Sequence, residues 1–363
     1  MERPAALPPN NVLNGASSFV CAALLLSLPL RAEAPPPLPA IDMAEFARVP
    51  VTLANGSRGE VVTFQSHSPK DFAPMLSGDL GPEVQLSAQL FRPAAVKGRI
   101  PVVILVPGSA NIGPHHLMQA AALARKGMAV LIIDPFTGRN LTDSIADQGR
   151  FSWAASVYDV VAAMRYLRSR RDIDRNNIGA LGGSRGGTAV MMAASRPISE
   201  KLLGRGKGLR AVVAGYPWCG TQFKSAKLAK ESRLLVMSGD RDDWVSVQQC
   251  QGAVSAMAAA GSRAEMRLVA DALHAFDRGG VSPRRIEHAV TSTIFPAVYM
   301  DDEGRFFDLY SAKLNPKLTS GDFVRRSVDG GFVHKGVTIG STGNQAKQYE
   351  ETAVAFLSQL KRE

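Results

Sequence analysis

The stretch Asn177–Gly187, NIGALGGSRGG, decides how this chain folds. Ile178 to Gly183 is apolar and uncharged, as a strand buried on both faces must be. The run GGTAVMMAAS (186–195) follows with the small and straight-chain residues of a helix. Between the two lies Gly182-Gly183-Ser184-Arg185-Gly186, a Gly-x-Ser-x-Gly pattern. A serine on a sharp strand-to-helix turn presents its hydroxyl above the sheet, and flanking glycines let strand and helix pack closely around it. Five residues alone are a weak signal, so the strand before and the helix after carry the weight.

The same rhythm extends outward in both directions. PVVILVPG (101–108), MAVLIIDPF (128–136), AVVAGYP (211–217), RLLVMSG (233–239) and AEMRLVADA (264–272) read as strands. HHLMQAAALARKG (115–127), SWAASVYDVVAAMRYLRSR (152–170), VSVQQCQGAVSAMAAAG (245–261) and AKQYEETAVAFLSQLKRE (346–363) read as helices. Strands alternating with helices predict a mostly parallel central sheet with helices on both faces. EVVTFQSH (60–67) and VQLSAQLFRP (84–93) alternate apolar and polar residues, as antiparallel strands with one wet face do. One α/β domain over 48–363 accounts for the length. Its rhythm breaks at 279–340, where AVYMDDEGRFFDLY and FVRRSVDGGFVHKG each place a glycine turn between β-rich arms. The expectation there is a hairpin-rich insertion.

Residues 1–34 read as a secretory signal. The apolar run Phe19–Leu30 is short for a bilayer span, and Ala32-Glu33-Ala34 supplies small residues for cleavage. A Pro-rich linker is expected over 35–47. Cleavage would remove Cys21 and leave Cys219 and Cys250, for which export permits a disulfide; two buried thiols are the alternative. The chain has 42 Lys+Arg against 32 Asp+Glu, a net charge of +10. The signal's Arg3 and Arg31 cancel Glu2 and Glu33, so its loss leaves that balance unchanged. Such a charge attracts nucleic acid or anionic lipid, or simply keeps a protein soluble. No Gly-Lys-Ser/Thr follows a glycine loop, and the single Arg-Gly-Gly sits inside a strand–helix unit. The reading is therefore no nucleic-acid partner, and no stable membrane span after cleavage. With 45% hydrophobic and 20% charged residues, a disordered or multispanning chain is excluded.

A serine on such an elbow needs an acid and then a histidine, each beyond a later strand. The candidates are the aspartates of SGDRDDWV (238–245) and His274 in ALHAFD (272–277). Both follow strand ends, where open α/β sheets bind ligands. Asp242 is the favoured acid, with Asp240 and Asp243 as rivals. The backbone N–H of Arg185 would form half of an oxyanion hole. The loop after PVVILVPG, at Ser109, would supply the other half.

These segments resemble the dienelactone hydrolase family of α/β-hydrolases. The marks are VVILVPG, LIIDPFTGR, DVVAAMRYLRSRRDIDRNNIGALGGSRGG, AGYPWC, SGDRDDWV and ALHAFD, within about residues 84–280 plus the final helix. The resemblance implies Ser184 as nucleophile, Asp242 as acid, His274 as base and no cofactor. Typical members carry a cysteine nucleophile and often His-Gly where this chain has Pro107-Gly108. The serine points to an esterase or lactonase of the same family, acting on a small-molecule ester or lactone. A peptidase or amidase with the same triad, or a binding protein on a hydrolase scaffold, are the competing readings.

Around this constellation, Arg139 would hold a substrate carboxylate or form a structural ion pair. Trp218 and Trp244 would line an acyl pocket or pack in the core. The Arg185 side chain is expected to pair with an acid. His115 and His116 would line the cleft or sit solvated at a helix start, and they lack zinc-ligand spacing. Asp301-Asp302-Glu303 lacks the alternating ligands of a calcium loop and reads as a solvated turn.

Overall fold

The computed structural model describes residues 40–93 and 98–360. The expected signal, 1–34, lies outside the described residues, as does the start of the Pro-rich stretch. Helix α1 (Met43–Phe46) begins where the Asp42 carboxylate accepts the N–H groups of Ala44 and Glu45. Phe46 is buried in the core. The described end of the expected 35–47 linker is thus partly helical, and one aromatic side chain anchors it.

In chain order the remaining elements are β1 (Gly59–His67), α2 (Phe72–Ser77), β2 (Glu83–Phe91), β3 (Ile100–Val106), α3 (Pro114–Arg125), β4 (Ala129–Asp134), α4 (Trp153–Ser169), β5 (Ile173–Gly183), α5 (Arg185–Ala193), α6 (Arg196–Leu202) and β6 (Ala211–Gly215). They continue with β7 (Thr221–Phe223), β8 (Arg233–Gly239), α7 (Val247–Ala259), β9 (Arg263–Val269), β10 (Arg284–Thr291), β11 (Val298–Met300), α8 (Ser320–Asp329), β12 (His334–Ile339) and α9 (Gln345–Leu357). Eight strands form the main sheet in the order β1-β2-β4-β3-β5-β6-β8-β9. β2 runs antiparallel to both its neighbours, and every pair from β4 to β9 is parallel. This is an α/β-hydrolase fold, as expected.

The buried strands separate two cores by side-chain alternation. Val102, Ile104 and Val106 of β3 share one core with Val157 of α4 and Val190 of α5, and further along the sheet the same layer includes Val254 of α7. Val103 and Leu105 face the opposite layer, with Leu123 of α3 and Tyr349 of α9. Both faces of these strands are apolar, which is why their sequences read as continuous hydrophobic runs. The crossover from β3 to β4 also places β3 and β5 side by side. The loops that follow those two strands are therefore neighbours at one sheet edge.

The 279–340 segment departs from two local hairpins. FVRRSVD is helical in α8: the Thr319 hydroxyl accepts from Asp322 N–H, and the Asp322 carboxylate accepts from Thr319 N–H. That reciprocal cap and the buried pair Phe323 and Ser327, four apart, favour a helix over a strand arm. The sheet of the insertion is long-range: β10 pairs antiparallel with β12, with Arg284 opposite Ile339. Two short turns are hairpin-like: Asp301–Arg305, closed by a bridge between Met300 and Phe306, and the next one, closed by a bridge between Phe307 and Leu314. In the first, Asp301 binds Arg305. Among the described residues no helix is long and apolar enough to cross a membrane.

Candidate active site

Ser184 sits between β5 and α5 with φ 54° and ψ −122°. A non-glycine residue held there is strained, at a cost of about 1–3 kcal/mol, and such strain gathers at functional turns. The glycines around it have no room for side chains. A Cβ on Gly182 would meet the Gly186 carbonyl carbon at 2.4 Å, and one on Gly186 would meet the Val106 oxygen at 2.1 Å. Strand, turn and helix are thus pressed together, and the serine hydroxyl is pushed out.

That hydroxyl meets the imidazole of His274, with Nε2 2.9 Å from Oγ. The other ring nitrogen, Nδ1, lies 2.8 Å from Oδ2 of Asp242. Oδ1 of Asp242 accepts the N–H groups of Trp244 and Val245 at 2.9 and 3.0 Å. The Asp242 side chain is 0% exposed and that of His274 1%. Of the three candidate aspartates, only Asp242 points inward. Asp240 is exposed, and the Asp243 carboxylate accepts Thr338 N–H of β12. Ser184, His274 and Asp242 form one continuous hydrogen-bonded line, as the sequence order required.

The two residues expected to supply an oxyanion hole flank the elbow. Arg185 is the first residue of α5, so its N–H has no carbonyl within the helix to bind. Gly108 comes so near the elbow that a Cβ on it would lie 3.2 Å from Ser184 Cβ. Ser109 follows it and is 4% exposed. Its carbonyl accepts Ser144 N–H at 2.9 Å, and its hydroxyl donates to Gln148 Oε1 at 3.0 Å.

The Arg185 side chain does not pair with an acid. Nη1 donates to Phe151 O and Ser156 Oγ, Nη2 to Gln148 O and Oε1, and Nε to Gln148 Oε1. Its guanidinium lies 4.1 Å from the ring centre of Trp153. Burial without a counter-ion pushes its pKa down, to about 9. A charge with five donors satisfied by neutral oxygens and stacked on an aromatic face remains tolerable inside the protein.

Arg139 is not a substrate ligand. Nη1 and Nη2 hold the two oxygens of Asp159 at 2.9 and 2.8 Å. Its remaining donors go to Ser68 Oγ, Pro135 O and His67 O. All five guanidinium donors are spent, and none is left for a carboxylate. Asp159 is buried, which pushes its pKa up even though Arg139 opposes the shift. The pair fastens the loop after β4 to α4.

Trp218 stacks on Trp153, centroids 4.5 Å apart. Trp244 packs against the His274 ring at 4.8 Å and donates from Nε1 to Val290 O. Trp244 thus packs directly on His274, whereas Trp218 packs on Trp153 and bonds to Thr188. Cys219 and Cys250 form a disulfide that ties the loop after β6 to α7.

A polar cluster missed by sequence reasoning lies behind the imidazole. Tyr216 sets its ring edge-on to His274 at 4.7 Å and donates to Asp277 Oδ1 at 2.6 Å. Gln119 donates to the other oxygen of Asp277. Burial raises the Tyr216 pKa well above 10, and the Asp277 charge raises it further. His115 and His116 are buried beside this cluster, not solvated, and burial holds both well below 6.5. The only sequence signal for the cluster was Asp277, three residues beyond His274. Among the described residues no three His, Cys, Asp or Glu side chains gather as a metal site.

Residues 114–200 match the model of the prolyl oligopeptidase family, Peptidase_S9. A 124-residue stretch is 31% identical to "Probable 2-oxo-3-(5-oxofuran-2-ylidene)propanoate lactonase" of a Bradyrhizobium species, covering 32% of this chain and 49% of the relative. The match thus spans about half the length of that relative. Among solved structures, the chain is 18% identical to a dienelactone hydrolase-like promiscuous phosphotriesterase from metagenomic libraries. That likeness has TM-score 0.46 and covers 60% of this chain and 84% of the other. It is 19% identical to a thermophilic esterase of Thermogutta terrifontis, TM-score 0.41, over 53% of this chain and 81% of that one.

Proposed function

We propose that this α/β-hydrolase chain is an exported serine hydrolase that cleaves carboxylic esters or lactones through an acyl-enzyme. The observation that carries the reading is the unbroken line Ser184 Oγ, His274 Nε2, His274 Nδ1, Asp242 Oδ2, with both bonds at 2.8–2.9 Å. His274 takes the hydroxyl proton as Ser184 attacks the carbonyl carbon. The oxygen of the tetrahedral adduct turns to the N–H groups of Arg185 and Ser109. The adduct collapses, the C–O bond to the alcohol breaks, and His274 gives its proton to the leaving oxygen. Water, deprotonated by the same imidazole, then attacks the acyl carbon; the bond to Ser184 Oγ breaks, and His274 returns the proton to that oxygen as the acid leaves. Asp242 keeps Nδ1 protonated and stabilises the imidazolium.

The matched lactonase supports an ester or lactone substrate, and the match to the prolyl oligopeptidase family favours peptide amides as a second reading. One feature bears on the acyl group. Arg278 makes no ion pair among the described residues, and its Nε has no hydrogen-bond partner. It lines a cavity of about 110 Å³ whose wall includes Ala110 and Asn111, directly after Ser109. A substrate carboxylate would find an unpaired cation there. The composition of 1–34 and a disulfide both suit an exported protein. A fluorophosphonate probe should label the wild type and spare Ser184→Ala. A panel of esters, lactones and peptide amides, with and without an acyl carboxylate, then ranks the substrates. An unlabelled wild type refutes the hydrolase; faster turnover of peptide amides than of esters and lactones selects the second reading.

A further inference from the structure

We infer that Gln148 sets the geometry of the oxyanion hole by bridging the two residues whose backbone N–H groups form it. The inference rests on the serine-hydrolase reading and deepens it. Gln148 belongs to a short 3-10 turn in the loop between β4 and α4. Its single side-chain oxygen accepts from Ser109 Oγ at 3.0 Å and from Arg185 Nη2 at 2.8 Å. An amide oxygen has two lone pairs, shared here between Ser109 and the Arg185 fork, whose Nε adds a longer bond at 3.3 Å. Its main-chain oxygen takes a further Arg185 Nη2 bond at 2.7 Å.

The two held residues have little other freedom. The Arg185 guanidinium is clamped between Phe151 O, Ser156 and the Trp153 face. Ser109 is tied on its carbonyl side by Ser144 N–H, from the same loop as Gln148. The next residue but one, Asn111, has φ 64° and donates from its side chain to Thr142 O. The 142–148 loop therefore straps the Ser109–Asn111 turn at three points, and only Gln148 also reaches Arg185. Gln148 touches no reacting atom. It is a positioning residue that fixes the separation of two donors.

A hole whose donors drift loses transition-state binding while the ground-state carbonyl is held nearly as before. Loss of one donor typically costs about 10²–10³ in kcat, and a 1 Å misplacement can cost about 10². Gln148→Met keeps the bulk and removes the acceptor. Its kcat, per site titrated with a fluorophosphonate, should fall roughly 10–100-fold, with KM within about threefold. The Ki of a trifluoromethyl ketone, whose adduct places an oxyanion in the same hole, should rise in proportion to the loss in kcat/KM. Ser109→Ala keeps the backbone N–H and loses only the link to Gln148, so its kcat should fall at least about threefold. It should add little to Gln148→Met, since the two remove one bond. A purely structural role would lower the melting temperature and leave kcat per titrated site unchanged. The inference is overturned if Gln148→Met keeps kcat within about twofold, or if its whole loss lies in KM. Should Gln148→Met fail to fold, an unchanged kcat in Ser109→Ala overturns it alone. Failure of the underlying reading shows separately, as a wild type that takes no label or a Ser184→Ala that still turns over.

Discussion

Replacing Asp242 with asparagine tests which proton arrangement the triad uses. Oδ1 of Asp242 faces two backbone donors, Trp244 N–H at 2.9 Å and Val245 N–H at 3.0 Å. An asparagine must place its carbonyl oxygen there, because an NH₂ group would meet two N–H groups head-on. Its NH₂ then occupies the Oδ2 position, 2.8 Å from His274 Nδ1. A donor at that point forces Nδ1 to accept, so the ring proton moves to Nε2. Nε2 lies 2.9 Å from Ser184 Oγ and, once protonated, has no lone pair to take the serine proton. The side chain is isosteric and 0% exposed, so the fold should survive. Such a tautomer reversal typically costs about 10⁴ in kcat, or about 5 kcal/mol of transition-state stabilisation. The assay is steady-state hydrolysis of an activated ester, with Asp240→Asn and Asp243→Asn in parallel. If Asp242→Asn keeps activity within about tenfold of wild type while Asp240→Asn loses far more, the assignment of the acid is wrong.

Arg139→Met should destabilise by about 3–5 kcal/mol, because it leaves the buried Asp159 charge uncompensated; denaturant unfolding measures the loss, and a raised KM in a stably folded variant would restore Arg139 as a substrate ligand. The pair Cys219→Ser with Cys250→Ser opens a loop with a sequence separation of 31, and the unfolding free energy should drop by about 3–4 kcal/mol, matching the effect of a reductant on the wild type. His115 and His116 are held well below their ordinary value of 6.5, so the unfolded chain binds their protons first as the pH falls. Their contribution to stability is therefore complete above pH 6.5 and is lost below it, by up to about 1.4 kcal/mol per pH unit for each group. Urea midpoints between pH 5 and 8 should show that slope in the wild type and a shallower one in His115→Asn.

The sequence spoke clearly where burial leaves a residue one role. β3, β4, β6 and β8 are covered on both faces, so nearly every position is apolar and the strand count follows. The elbow was legible because only glycine fits at 182 and 186. Asp242 was harder, since Asp240 and Asp243 share its chemistry. What separates them is the direction each side chain takes in a turn, which composition does not encode. For Arg139 a substrate carboxylate and a structural ion pair both stayed open, because its partner, Asp159, lies 20 residues away on α4. Arg185 looked in need of an acid because neutral carbonyls leave no trace in a sequence. Gln148 has no motif at all: its importance comes from two bonds to residues 39 and 37 positions distant. In 323–329 the aromatic and β-branched residues beside a glycine turn suggested a strand arm, while the reciprocal cap of Thr319 and Asp322 favours the helix that forms.

The insertion is bonded to the turns that carry Asp242 and His274 instead of lying over them. Three consecutive residues after β8 divide the work: Asp242 holds the imidazole, Asp243 accepts Thr338 N–H, and Trp244 donates to Val290 O. Thr291 Oγ1 returns a bond to Trp244 O at 2.7 Å. On the histidine side, Gly340 N–H donates to His274 O at 3.1 Å. The antiparallel pair β10 and β12 thus grips the acid turn with both strands and the base turn with the end of one. Acid and base come from loops after different strands of the sheet, and a shared ribbon fixes their separation more firmly than either loop could alone. The segment that interrupts the α/β rhythm therefore has a physical reason to exist apart from substrate choice: it holds the Asp242–His274 bond at its length.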